Sequence, residues 1–385
     1  MLILRVILAA IAVVALAVRP GTTGGSVLAL GAAGVDVALG TRLDPVIHIV
    51  APMFVFLAAA LTLAATLERA RLGERLATAL AARAGGNSYR LYAYVCLACA
   101  ALTTTVSLDG AVVLMVPVLL ALRRYKVPFA SLFFGTVVVA NAFSIAVPQG
   151  NPTNLLIIAR LGIAPSAFLI HMLIPGLLAA VLCAAAVAAS ERRHLAAPYA
   201  LAPRARDPLS RTERGAVLTF LAAALAAWTA PLLGLPTWWP FSAAVALMLM
   251  ATRTRPATIL PWQIGVQIAS TLLVVQALGV PDLGHVGSGL PGLLVVAAIV
   301  GAAAALVNNL PVGASAVALV SAAPLGYAAS IGLAVGSLAT PQGSVATLLA
   351  SELTGPDAPA LPIGRFAPLA ATAVVLATAA AWLTL

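Results

Sequence analysis

Residues 147–154 read VPQGNPTN and residues 340–347 read TPQGSVAT. Each sets a proline, a glycine and uncharged amides or hydroxyls inside an otherwise apolar run. The first carries Gln149, Asn151, Thr153 and Asn154, with Asn141 upstream; the second carries Thr340, Gln342, Ser344 and Thr347, with Ser337 just before it. Two further interruptions, SLDG with Ser107 and Asp109 and NNLP with Asn308 and Asn309, precede them in the same order. Proline lacks a donor and pushes the residue before it out of helical geometry, so each PQG stops a helix rather than bending it. The chemistry on offer is binding. Half-helix N-termini present positive dipole ends to anions or neutral oxygen acceptors, and freed carbonyls suit cations and protonated hydroxyls.

Asp109 is the one acid expected deep in an apolar segment, because Asp36, Asp44, Glu68, Glu74, Asp282, Glu352 and Asp357 fall at or near segment ends. A carboxylate there is costly unless protonated, paired or metal-bound, which makes Asp109 a candidate proton carrier; capping the hairpin turn is compatible with that role. An enzyme would need a nucleophile with its base, or paired acids, converging in the same place. One acid and no well-placed histidine argue against it. Cys96 and Cys99 form a CxxC with nothing nearby to complete a metal site, and read as small packing residues.

The elements that must position these groups follow from composition. A chain of 385 residues that is 62% hydrophobic and 8% charged, with mean hydropathy +1.09, cannot bury its apolar surface in a water-soluble core. Apolar runs near the ~20 residues that cross a bilayer recur along the chain without strand alternation, so the expected fold is an all-α polytopic membrane protein. Residues 1–190 contain three spans, an Arg-rich amphipathic stretch, a two-armed hairpin at 91–122, a broken span at 128–162 and a last span at 167–190. Residues 191–215 form a basic loop. Residues 216–385 repeat the plan, with a hairpin at 289–323 and a broken span at 325–353. About ten transmembrane helices result, five crossings per half. An odd number makes the halves inverted repeats, each with a re-entrant hairpin and a discontinuous helix.

With the 191–215 loop placed in the cytoplasm, only Arg5, Arg42 and Arg160 of the 21 basic residues fall outside, as the positive-inside rule requires. The net charge of +10 is thereby a topology signal rather than a nucleic-acid footprint. Arg5 ahead of LAAIAVVALA has the form of a secretion signal, but removing it leaves the first half one crossing short, so the span is expected to be retained. The broken helices in matched halves favour a carrier over a channel.

DGAVVLMVPV (109–118), ANAFSIAVPQGNPTNLLI (140–157), LPWQIGVQI (260–268), NNLPVGASAVAL (308–319) and GSLATPQGSVATLLA (336–350) resemble the bacterial arsenite efflux permeases of the ion transporter superfamily. The resemblance spans nearly the whole chain. It implies a multi-pass secondary transporter of the bacterial inner membrane that exports arsenite- or antimonite-like oxyacids against protons. Relatives include sodium/dicarboxylate and sodium/proton carriers, and GNPTN is nearer the dicarboxylate branch. Carried over, Asp109 is the proton-linked residue, Asn308 and Asn309 the second hairpin tip, and residues 149–154 and 340–347 line the site. The partners expected are a small-molecule or ion substrate and the lipid bilayer, with a homodimer as the assembly considered. No cofactor is expected beyond H+ or Na+ as coupling ion.

Overall fold

The computed structural model describes residues 2–18, 22–201, 208–253, 262–278 and 283–385. Arg19, Arg204, Arg206, Arg255 and Asp282, together with Leu260 and Pro261 of the LPWQIGVQI stretch, lie outside the described residues. The first half contains α1 (Leu2–Val18), α2 (Thr23–Ala38), α3 (Asp44–Arg69), α4 (Leu72–Ala84), α5 (Ser88–Leu122), α6 (Phe129–Phe143), α7 (Pro152–Leu161) and α8 (Pro165–Ser190). A single turn, α9 (Arg192–Leu195), leads to the second half: α10 (Arg211–Leu232), α11 (Trp238–Ala251), α12 (Trp262–Ala277), α13 (Leu290–Leu306), α14 (Asn309–Leu319), α15 (Ala323–Val335), α16 (Val345–Thr354) and α17 (Ile363–Thr384). Among the described residues there is no strand, and six helical segments are long and apolar enough to cross a membrane. The protein is an all-α polytopic membrane protein.

The long helix α5, 35 residues and so well beyond the length of one span, is a hairpin. Its backbone leaves helical geometry at Val106 (φ −117°, ψ 18°) and Ser107 (φ 66°, ψ 172°). Its two ends lie together: Tyr199 N donates to Gly86 O just before the helix (3.1 Å), and Ala200 N donates to Tyr125 O just after it (2.8 Å). The arms therefore run antiparallel from one face of the bundle to a buried tip. The positive φ of Ser107 is unusual for a residue with a Cβ and costs about 1–3 kcal/mol, which the surrounding packing must offset.

One face of the bundle is basic. Arg123 pairs with Asp357 (2.8 Å), Arg365 with Glu191 (3.1 Å) and Arg75 with Glu213, tying both halves together there. At the other face Arg5 meets the fully buried Asp36 (3.6 Å) and donates to Ala277 O (2.8 Å), while His171 Nδ1 lies 2.6 Å from Thr384 O. Each of these contacts joins residues that the charge distribution assigns to one side.

Exchanging the elements of one half for those of the other turns observed contacts into observed contacts. The pair α3–α11 becomes α12–α2, α10–α3 becomes α1–α12, α10–α5 becomes α1–α14, and α5–α16 becomes α14–α7. Small residues permit the closest approaches. A Cβ on Gly332 would run into Ala297 O, and Gly336 packs on the backbone of Gly301, so α15 lies directly against α13.

Gly150 and Gly343 occupy matching places: a Cβ on either would collide with the carbonyl of the residue six before it, Ser144 or Ser337. Neither carbonyl is a flexible tip that can swing aside. Gly150→Ala or Gly343→Ala is expected to destabilise by about 1–3 kcal/mol, seen as a lower melting temperature of the detergent-solubilised protein.

Candidate substrate-binding site

The two PQG breaks share one backbone construction. α6 ends in a 3-10 turn at Ser144–Ala146, and α15 in one at Gly336–Ala339. The residues before the prolines are extended, Val147 at φ −135°, ψ 151° and Thr340 at φ −137°, ψ 155°. Gly150 N then donates to Val147 O (3.1 Å) and Gly343 N to Thr340 O (3.3 Å). A second extended residue, Asn151 (φ −139°) or Ser344 (φ −128°), restarts the chain as α7 or α16. Ser144 Oγ and Ser337 Oγ each donate to the carbonyl three residues back, at 2.7 and 2.9 Å.

The carbonyls freed by each break are satisfied differently. In the first, the Asn154 amide donates to both Ser144 O (2.9 Å) and Val147 O (3.1 Å), so one side chain in the first turn of α7 closes the end of α6. Asn151 Oδ1 caps α7 by accepting from Thr153 N (3.0 Å) and Thr153 Oγ1 (2.8 Å). In the second, the donors come from the other hairpin. Asn308 Nδ2 reaches Gln342 O (2.9 Å), Asn309 N reaches Gly343 O (2.7 Å), and Asn309 Oδ1 accepts Val345 N at the head of α16 (3.2 Å). Thr340 Oγ1 bonds Ala305 O on α13 (2.5 Å). The breaks touch each other where Asn141 Nδ2 faces Thr347 Oγ1 at 3.5 Å.

All four interruptions line one cavity of about 220 Å³. Leu108 and Asp109 come from the α5 tip, Asn151 and Pro152 from the head of α7, Asn309 and Leu310 from the head of α14, and Val345 from the head of α16. Three helix N-termini and the start of the second α5 arm therefore point into the same space, and no Lys or Arg lines it among the described residues. Asp109 is half-buried there and has no hydrogen bond or ion pair to the described residues. Five buried side-chain oxygens, of Ser107, Asn141, Gln149, Asn154 and Ser344, also lack a donor.

Of the residues singled out in the sequence, Asp109, Asn151 and Asn309 line the cavity directly, and Ser107 and Ser344 are adjoining residues. Thr153, Asn154 and Asn308 hold the adjacent backbone, and Asn141 bonds its own helix at Val137 O (2.9 Å). Gln149 is buried against Thr104 O (2.7 Å) and Ala227 O (3.2 Å), whereas Gln342 is exposed. Ser337, Thr340 and Thr347 serve the second break. Sequence reasoning placed Glu352 at a segment end; it also lines this cavity, two turns along α16 from Val345 and exposed. The i, i+3, i+4, i+7 spacing of Val345, Leu348, Leu349 and Glu352 is the signal that marks one face of α16.

The family model described as Citrate transporter, CitMHS, matches residues 1–339. No curated protein matches the chain.

The bonding pattern separates polar groups that hold the backbone from those left uncommitted. Asn154→Ala is expected to destabilise by about 1–3 kcal/mol, because two buried carbonyls lose their donor. Asp109→Asn removes no bond within the protein and is expected to leave stability within about 0.5 kcal/mol. Melting curves of both purified variants check the contrast.

Proposed function

We propose, because this chain belongs to the citrate transporter family, that it is a secondary transporter carrying a citrate-type carboxylate anion together with a cation, by alternating access to the cavity between the four breaks. The observation that carries the reading is the convergence of the α7, α14 and α16 N-termini on one cavity. The positive dipole ends of helices attract carboxylates without basic side chains. The cavity also holds Asp109 and Glu352, whose charges oppose an anion. A proton or sodium ion taken up at Asp109 before the substrate removes that conflict, so cation and anion travel together.

The halves act as inverted repeats in this scheme. The cavity extends along α16 to Glu352, whose chain continues to Asp357 and the basic face, so this is the mouth on the cytoplasmic side. The exchange of halves that turns α5–α16 into α14–α7 puts the opposite mouth between α14 and α7. A second cavity of about 490 Å³ lies there, lined by Ala318 and Leu319 of α14, Arg160 of α7, and Ile49 and Gln276 of the flanking helices. Parting α7 from α14 while α16 closes on α5 exchanges one mouth for the other. Arg160 is the basic residue of this outer path and captures the anion there.

A second reading, exchange of a neutral oxyacid such as As(OH)3 for a proton on Asp109, is favoured by the absence of any basic side chain among the described cavity residues. Proteoliposome uptake of citrate, succinate and arsenite, with sodium and pH gradients imposed separately, tests both. The expected result is citrate accumulation driven by one of the cation gradients; arsenite transport without citrate transport would replace the first reading by the second. Asp109→Asn is expected to abolish gradient-driven accumulation while citrate counterflow persists. Arg160→Gln is expected to raise KM for uptake about tenfold, equivalent to ~1.4 kcal/mol, with little change in maximal rate.

A further inference from the structure

Away from the substrate cavity, on the basic face, the C-terminal ends of α3 and α11 and the N-terminal end of α10 enclose a cavity of about 500 Å³. Three arginines from three helix ends line it, Arg69, Arg211 and Arg253, with Thr66, Thr212 and Thr252 between them. None of the three arginines is in an ion pair among the described residues. Glu213, two positions after Arg211 on α10, is taken by Arg75 and by the backbone N–H of Ser210 (2.7 Å). Glu68 stands exposed one position before Arg69, a step of about 100° around α3.

The positive-inside rule requires only that these residues share a side, and a helix C-terminus welcomes a lone arginine. Neither explains why three arginines from separate helices line one cavity, where an anion between them would offset their like charge. Guanidinium forks match phosphate oxygens in pairs, and the Thr212 hydroxyl is not committed to its own helix, whereas Thr66 and Thr252 donate to Thr62 O and Met248 O (both 2.7 Å). The surroundings indicate what carries the phosphate. Leu218 and Leu225 follow Arg211 at heptad spacing on α10 and are 51% and 65% exposed; Met250 and Leu247 precede Arg253 by three and six residues and are 75% and 65% exposed. An apolar stripe thus descends into the membrane from each of two arginines.

We propose that the Arg69–Arg211–Arg253 cavity is a binding site for a phosphate group, presented by the headgroup of an anionic phospholipid whose chains lie along α10 and α11. Its test uses the full-length protein in detergent, titrated with phosphatidylglycerol, phosphatidylcholine or inorganic phosphate while the melting temperature and the lipid retained in native mass spectra are read. Phosphatidylglycerol is expected to stabilise the protein saturably and to be retained, with phosphatidylcholine and inorganic phosphate giving at most a small shift at equal concentration. The combined R69Q, R211Q and R253Q variant should need at least tenfold more phosphatidylglycerol for the same shift, while R83Q, R90Q and R193Q on the same face leave the titration unchanged. Equal titrations for the two triple variants would overturn the site, and inorganic phosphate matching the lipid would overturn the lipid source. R211Q alone, at an exposed position, supplies the comparison should the triple variant fold poorly, and an unchanged titration there counts against the proposal.

Discussion

The constraint on which the rest of this structure depends is that backbone groups freed inside an apolar bundle must find partners. Two helices stop at Val147 and Thr340, and each stop releases carbonyls and amides where no water is guaranteed. The hairpins, the asparagines and the close helix contacts are arranged around that requirement. Asn154 closes the first stop from within its own segment; Asn308 and Asn309 close the second from the neighbouring hairpin. The N-termini of α7, α14 and α16 face the cavity with their positive dipole ends, while the first-turn amides of α7 and α14 are already bonded to Asn151, Asn308 and Gly343. The proposed site for an oxygen-rich anion is thus a by-product of solving a solvation problem, with three positive dipole ends gathered in one place.

This division accounts for the unequal tails of the two breaks, NPTN and SVAT. On sequence alone that asymmetry is a natural place to look for substrate choice. In the structure Asn154 is a double donor to Ser144 O and Val147 O, and its counterpart Thr347 has a single hydroxyl. The second break manages with a threonine because Asn308 and Asn309 reach across to it. The first hairpin offers no such help: its tip supplies the acceptor Thr104 O to Gln149, while Ser107 Oγ and Asp109 stay uncommitted. Part of the asymmetry is therefore structural, and it leaves Ser107 Oγ and Asp109 of the first hairpin without a partner among the described residues.

Much of this was legible in the sequence because the signals are backbone signals. Proline positions gave both breaks, SLDG and NNLP gave both hairpin tips, and the distribution of arginines gave a basic face that the Arg123–Asp357 and Arg365–Glu191 pairs bear out. Roles of single side chains were not legible. Gln149 and Gln342 are the same residue in the same motif, yet one is buried between α5 and α10 and the other is exposed, because only the first break packs against the α10 backbone at Ala227. Glu352 looked interfacial because hydropathy measures depth along a segment, not which way a helix face turns. Asp36, near a segment end by sequence, is fully buried beside Arg5, for the same reason. The arsenite-permease resemblance found the transporter architecture, and the family match moves the substrate toward a citrate-type anion.

The placement of charge along the proposed path has a direction of its own. Arg160 stands at the end of α7 and Glu352 near the end of α16, positions related by the exchange of halves to within one residue, yet opposite in sign. A path symmetric in backbone is thereby asymmetric in potential: an anion is drawn toward the α7 mouth and repelled from the α16 mouth. In the proposal, binding at the centre falls to the positive dipole ends of helices, which lie between the two mouths and impose no strong preference for either exit. In the proposed cycle the backbone repeat would supply a route that opens both ways, and the two side chains at its ends would favour capture at one face and release at the other.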